Sequence, residues 1–516
     1  MPISFDSIPA NWRMPLFWAE IDPSMAGLPI VRQPILLVGS MITESDATTG
    51  VTAGIAVPDV PRPIGTQAEA DHQYGEGSEL ACMFAASFAN NFAQEIWALP
   101  VAPLAGSIAA TGDISIDAVP TEAGMLHLYI AGHHVGIVCG TTDTPDTIAT
   151  ALAAAINDIP SLPVTAAAAT DTVTLTCKTK GVNGNDISLT LNYYGKVGGQ
   201  ALPPGMAVTM PASLSGGAGV PDYTNAIANL GEHEYEYVAL ANTDSNTLFD
   251  FEQEWGFDDT GRWGWMRQLY GHLFAAKRDD YSDLIVFGET RNFGPTSIMG
   301  VEPLAPSPTY EWAAAYASKS ARALTNDPAR PLQTLSLNKI LPARPEDTFI
   351  LPEVNSLSGV GIATQKRGSD GQPMIMRDTT TYQLNLYGQS DDAYELVTTM
   401  ATLARLIRNQ RQAITSKFPR HKLANDGTRF GVGQKIVTPK IVKAELVAEY
   451  RIDEFNGLVE DVASYKANLI VERDPNNPNR LNVLYPPDLV NQLRIYAVLV
   501  QFRLQSNRGQ DAEILR

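Results

Sequence analysis

The sequence predicts a multidomain protein of mixed α/β and α+β class. An α/β core layer is interrupted by an inserted β-sandwich-like domain and followed by a C-terminal α+β domain, with extended arms at both ends. Three observations carry this. Short apolar runs alternate with stretches of helical period over residues 31–106 and again over 220–376, the pattern of βαβ units. Between them, residues 107–219 contain no Phe, Trp or Arg and are dominated by Ala, Thr and Gly. From residue 377 to 504 a third pattern sets in, with two strong helices among strand-like runs, before a polar tail at 505–516.

Residues 1–30 read as an extended arm, because Pro2, Pro9, Pro15, Pro23 and Pro29 recur too often for a helix. The arm is nonetheless apolar, with Phe5, Ile8, Trp12, Leu16, Phe17 and Trp18, so it needs a surface to lie on, its own domain or a neighbour's. ILLVG after Pro34 is a buried strand. Residues 75–98 read as a helix, with Leu80, Met83, Phe84, Phe88, Phe92 and Ile96 near 3.6 spacing, and IWALPV as a second strand. In the insert, DISID, MLHLYIAG, HHVGIVCG, DTVTLTCKT and NDISLTLNY alternate as strands around one helix at 145–158. The core then resumes. YTNAIANL, SNTLFDFEQEWG, RWGWMRQLYGHLFAA and residues 310–324 read as helices, and YEYVALAN and LIVFGE as strands.

In the last region TTTYQLNLYG and VASYKANLIVERD read as strands and VKAELVAEYRIDEF as a helix. DDAYELVTTMATLARLIRNQRQAI reads as a helix with acidic residues first and basic residues last, matching its dipole. Residues 493–504 read as a strand apolar on nearly both faces. Ile495, Ala497 and Leu499 fall on one side, and Tyr496, Val498, Val500 and Phe502 on the other. Such a strand is expected to be covered, since an open edge of this kind aggregates.

The chain of 516 residues has a net charge of −19, which disfavours nucleic acid as a partner. One segment runs against this. Residues 403–443 hold ten basic side chains and a single acidic one, Asp426. Arg405, Arg408, Arg411, Lys417, Arg420 and Lys422 form a basic surface suited to an acidic partner. The three cysteines, Cys82, Cys139 and Cys177, are far apart and suggest neither a disulfide framework nor a zinc knuckle, which fits folding in a reducing cytoplasm. Neither a signal peptide nor a membrane-spanning run is legible.

No catalytic pattern emerges. A phosphate-binding loop, a dinucleotide fingerprint, a zinc-protease helix and a nucleophile elbow are all missing, so no catalytic, cofactor or metal residue is assigned. His133 and His134 are adjacent, and in a strand they face opposite sides, so they cannot share one metal. His233 beside Glu234 and Glu236 reads as a solvated turn. The run Asp250, Glu252, Glu254, Asp258, Asp259 lacks the order of a calcium loop and reads as helix-start charge. Trp255, Trp263 and Trp265 read as core packing.

The opening ISFDSIPANWRMPLFWAEIDPSMAG, followed by PILLVG, resembles that of tail sheath proteins of Mu-like contractile phages. The insert, with GHHVGIVCGTTDTPDTIATALAAAIND, LPVTA and VTLTCKTKGVNGNDISL, is similar to the β domain of such sheaths. The closing VASYKANLIVERDPNNPNRLNVLYPPDLVNQLRIYAVLVQFRL is similar to their last domain. The resemblance implies a structural virion protein, assembled in the host bacterial cytoplasm. It would polymerise with itself in rings of about six as a non-closing helical cylinder. The cylinder would surround a tail tube, meet baseplate and tail terminator proteins, and contract to drive the tube through the host envelope. It implies no cofactor, no nucleic acid and no membrane insertion. It also implies that both chain ends add strands to neighbours and that the basic C-terminal surface faces the tube. An α/β hydrolase-type enzyme with a β substrate-binding insert, or another tail or baseplate protein, remains the alternative.

Overall fold

Ile35 and Leu37 point to one side of a strand and Leu36 and Val38 to the other, and all four are buried in two different hydrophobic clusters. A strand covered on both faces belongs inside a mostly parallel sheet. The computed structural model, which describes residues 13–15 and 33–502, puts it near the middle of an eight-stranded one.

In chain order the core begins with β1 (Ile35–Ser40), β2 (Arg62–Ile64), α1 (Gln67–Tyr74), α2 (Glu79–Asn90) and β3 (Ile96–Val101). The helix expected over 75–98 is shorter than its apolar period. Gly75 ends α1 at φ 87°, Ser78 caps α2 by accepting from the Ala81 N–H, and Asn91 stops it. Of the last apolar positions, Phe92 lies exposed in the loop that follows, and Ile96 belongs to β3, which pairs parallel with β1.

The insert follows as β4 (Thr111–Ala118), β5 (Gly124–Ile130), β6 (His133–Cys139), α3 (Pro145–Asn157), β7 (Val164–Ala169), β8 (Thr172–Cys177), β9 (Leu189–Leu191) and β10 (Ala207–Thr209). They form one sheet in the order β10-β4-β8-β7 and another in the order β6-β5-β9. α3, capped by a Thr144/Thr147 box with Pro145 in its first turn, buries Ile148, Leu152 and Ile156 between them. All buried members of this cluster lie between Ala110 and Leu214. Its two ends meet where Ile108 bridges Ala218.

The core resumes with α4 (Thr224–Asn229), β11 (Tyr237–Leu240), α5 (Ser245–Glu254), β12 (His272–Arg278), α6 (Tyr281–Glu289), β13 (Thr296–Val301), α7 (Thr309–Asn326), α8 (Leu351–Gly359), β14 (Ile362–Arg367) and β15 (Pro373–Arg377). The sheet order is β15-β14-β13-β12-β11-β1-β3-β2, parallel except for its two edge strands. α2 and α7 cover one face; α4 and α5 cover the other.

Two readings from the sequence reverse here. RWGWMRQLYGHLFAA is not a helix. Residues 262–268 turn back on the preceding loop, where a Cβ on Gly264 would lie 2.0 Å from the Asp258 carbonyl, and β12 begins at His272. LIVFGE is not a strand but the body of α6, which Asp280 caps by accepting from the Asp283 N–H.

The last region comprises α9 (Val397–Lys417), β16 (Lys422–Leu423), β17 (Ile436–Val437), α10 (Pro439–Phe455), α11 (Val462–Asn468), β18 (Ile470–Arg473) and β19 (Leu481–Leu484). TTTYQLNLYG forms no strand, because Thr379, Thr380 and Thr381 are buried and spend their hydrogen bonds on the core. The Thr381 N–H donates to the Thr296 carbonyl and the Thr380 hydroxyl to Tyr394. The acidic residues Asp391, Asp392 and Glu395 precede α9 rather than opening it, so the dipole match at its start is lost. VASYKANLIVERD divides into α11 and β18, with Asp461 capping the helix. Residues 493–502, expected as a strand, form none, and no strand among the described residues pairs with them.

Candidate functional site

With no catalytic pattern to follow, the surfaces that matter are those the subunit leaves unfinished. The clearest begins at Arg494. Its guanidinium reaches the fully buried carboxylate of Asp378 at 2.5 Å. Gln492 donates to the Ala329 carbonyl at 2.6 Å. These contacts hold the chain against the core up to that point. Beyond it every residue from 495 to 502 is exposed, with Ile495 at 78%, Leu499 at 84% and Phe502 at 78%. Ala497, Val498 and Val500 are exposed with them. A segment that is apolar and exposed, with backbone groups unpaired among the described residues, is suited to completing a sheet.

The hairpin β18–β19 is unfinished as well. It is a two-stranded sheet, pairing Ile470 with Leu484 and Val471 with Val483, and both outer edges are open among the described residues. One face rests on the C-terminal cluster through Val471 and Leu481, while Ile470 and Leu484 are more than half exposed. An isolated two-stranded ribbon is marginal by itself, so this one gains from added strands. Phe5, Ile8, Trp12, Leu16, Phe17 and Trp18 of the other expected arm lie outside the described residues.

The basic residues of α9 separate into different environments. Arg408 is no surface residue. It is 8% exposed and forks onto Glu234 and Glu236 beside β11, with its guanidinium 5.4 Å from the Tyr270 ring centre. Its charge is spent inside the subunit, joining α9 to the core sheet. Burial raises the Glu236 carboxyl above its ordinary range, against the pull of Arg408. Arg405 is half-buried and donates to the Thr325 carbonyl. Arg411, Lys417, Arg420 and Lys422 are exposed. Arg411 reaches Gln268, Lys417 pairs with Glu445, and Lys422 reaches Gln434. Arg405, Asn409, Ala413 and Lys417 line one wall of a cleft of about 610 Å³, with Glu449 and Ile452 of α10 opposite. Asp453, behind it, is pushed up to about 6 by burial while accepting from Asn409.

The other candidate residues are structural. His233 packs at a tilt against Trp97 and Tyr235. Glu252 pairs with Arg291, and Glu254 with the fully buried Arg262, which lies over Trp255. Trp265 is exposed and tied to Asp259. His133 and His134 do face opposite ways. Among the described residues no three His, Cys, Asp or Glu side chains converge as metal ligands, and no helix is long and apolar enough to cross a membrane. The Arg494–Asp378 anchor and the Glu234/Glu236 pair were not legible in the sequence. Their partners lie over a hundred residues away, and local pattern carries no signal at that range.

Comparison with known proteins gives the family. The family profile described as the phage tail sheath protein central domain matches residues 216–381, and that of the phage tail sheath C-terminal domain matches 389–503. The Mu-like prophage FluMu tail sheath protein of Haemophilus influenzae is 40% identical over 506 residues, covering 98% of this chain and all of that one. Among solved structures, the sheath tail protein of Desulfitobacterium hafniense aligns over 93% of this chain and 97% of its own at 11% identity and TM-score 0.48. The contracted helical sheath of the anti-feeding prophage aligns over 96% and 100% at 10% identity and TM-score 0.44.

Proposed function

The chain belongs to the phage tail sheath family and is a structural subunit of a contractile tail sheath, a virion component rather than an enzyme, and from that premise we propose how its own residues build the polymer. Subunits stack in rings of about six into a helical cylinder around the tail tube, through an interface that repeats without closing. The extended cylinder is metastable. A trigger at the baseplate releases it into a second packing, and the shortening drives the tube through the host envelope. Assembly takes place in the host cytoplasm and ends at a terminator protein.

One observation carries the reading: residues 495–502 are largely apolar, exposed throughout and paired with no strand among the described residues. In the polymer this segment adds as a strand to the open edge of β18–β19 in a neighbour, and the N-terminal arm supplies a further strand. Backbone pairing satisfies the free N–H and C=O groups, and both apolar faces are covered. The strands bend while the α/β bodies slide to new contacts. Arg494, tied to Asp378, marks where the flexible connection starts.

Arg405, Arg411, Lys417, Arg420 and Lys422 face the tube, and Arg408 does not take part. Residues 31–106 and 220–376 act as one discontinuous core domain, and 107–219 as an outer domain. Support comes from the insert's self-contained cluster and from the meeting of its ends at Ile108 and Ala218.

Deletion of residues 495–516 tests the reading. Negative-stain images should show folded, soluble subunits and no cylinders. Cylinders of normal length from the truncated chain refute strand addition from this end.

A further inference from the structure

The insert carries a cross-strand histidine pair that the assembly role does not use. In the β5–β6 hairpin His127 lies opposite Gly136 and Tyr129 opposite His134. Residues opposite one another in an antiparallel pair share a face, so all four project to the same side. The other side, with Leu126, Leu128, Val135 and Ile137, is buried in the insert core. His133 falls on that inner side and lies 3.7 Å from Glu311. The nearest imidazole to His134 is therefore not its chain neighbour but the diagonal one across the hairpin.

Nδ1 of His127 is 2.9 Å from Nε2 of His134, with ring centroids 5.1 Å apart. Gly136 makes room for this approach. A Cβ at that position would lie 3.1 Å from Cε1 of His134. The Tyr129 ring backs His134 at 5.0 Å, and its hydroxyl is held by Gln200 at 2.7 Å. The pair is braced from behind and open in front, since His134 is exposed.

Two imidazole nitrogens this close are bridged by a shared proton or by a metal ion. Metal–nitrogen bonds of about 2.0 Å meeting at a right angle put the two nitrogens about 2.8 Å apart, whereas a tetrahedral ion needs about 3.3 Å. We propose that His127 Nδ1 and His134 Nε2 are cis ligands of a bound Cu2+, with water completing a tetragonal coordination. Square-planar nitrogen geometry suits Cu2+, which also heads the affinity order of divalent ions. The methyl of Met125 lies 3.1 Å from the same point on Gly136, so a soft thioether sits beside the pair. On binding, the proton between the rings moves to an outer ring nitrogen, and the metal takes both inner lone pairs. The ion pins β5 to β6 and stabilises the hairpin by mass action.

The full-length protein is titrated with CuCl2 against a chromophoric chelator, and the bound ion is read by electron paramagnetic resonance. One Cu2+ per chain with hyperfine structure from two nitrogens is expected. His127→Ala and His134→Ala should each weaken binding by about tenfold or more, and Zn2+ should bind wild type about tenfold or more weakly than Cu2+. His133→Ala, whose ring faces inward, should bind as wild type does. Gly136→Ala displaces the His134 ring without removing a ligand and should also weaken binding; it replaces either histidine variant that circular dichroism shows to be unfolded. Wild-type affinity in the histidine variants, or a spectrum with a single nitrogen, overturns the site.

Discussion

Glu79→Gln is the perturbation whose outcome the fold specifies most fully. Glu79 opens α2 at the junction of core and insert, and it is 5% exposed. One oxygen accepts the Ser40 N–H at 2.9 Å and the other the Asn183 side-chain amide at 2.8 Å. Asn183 also reaches Asn242 at 2.7 Å, so the insert's short helical turn at Val182–Asp186 is tied to the ends of both β1 and β11. No cation offsets the burial, and the Asp186 charge adds to it. Desolvation therefore pushes the Glu79 carboxyl up to about 7 from an ordinary 4.5. Its folded-state pKa is raised, so the folded chain holds the proton more tightly than the unfolded one. That contribution is complete below the unfolded value and is lost as pH rises through about 7. At 1.36 kcal/mol per unit it amounts to about 3 kcal/mol, most of it lost between pH 5 and 8. The glutamine keeps the shape of the neutral acid and does not titrate. Urea unfolding of dilute subunits at pH 5 and pH 8 is the assay. Wild type should lose about 2.5 kcal/mol more than Glu79→Gln over this interval, because the other buried carboxyls titrate alike in both and cancel. Equal pH dependence in the two proteins refutes the reasoning, and so does a steeper loss in the variant.

Arg408→Ala leaves Glu236 buried without its counter-charge and should destabilise the subunit by about 3–5 kcal/mol in urea unfolding, an effect that added salt does not reproduce in wild type. Reversing Arg411, Arg420 and Lys422 to Glu, with Lys417 left in place on the buried Glu445, should leave the subunit folded by circular dichroism. Tube-dependent assembly should weaken at low salt, with the difference shrinking as salt screens it, and assembly indifferent to these reversals would remove the tube from that face.

Local pattern sufficed for β1, β3, α3 and α7, because side-chain periodicity and caps act within a few residues. The sequence alone also determined the acidic whole, its one basic segment and the absence of catalytic motifs. Tertiary structure decided the rest. Residues 262–268 carry helical-looking Trp and Met, but their backbone is bent by close approach to another loop, where only Gly264 fits. The hydroxyls of residues 379–381 alternate like a strand yet bond to the core instead of to a neighbouring strand. Arg408 has the same charge as Arg411 three residues on. One is buried on Glu236, 172 residues away, and the other is exposed. A charge in the sequence does not report its own burial, because burial is set by whichever distant segment folds over it. The same reason holds for the final segment. Its apolar residues are written in 495–502, but that the subunit leaves them exposed is decided by how distant segments fold.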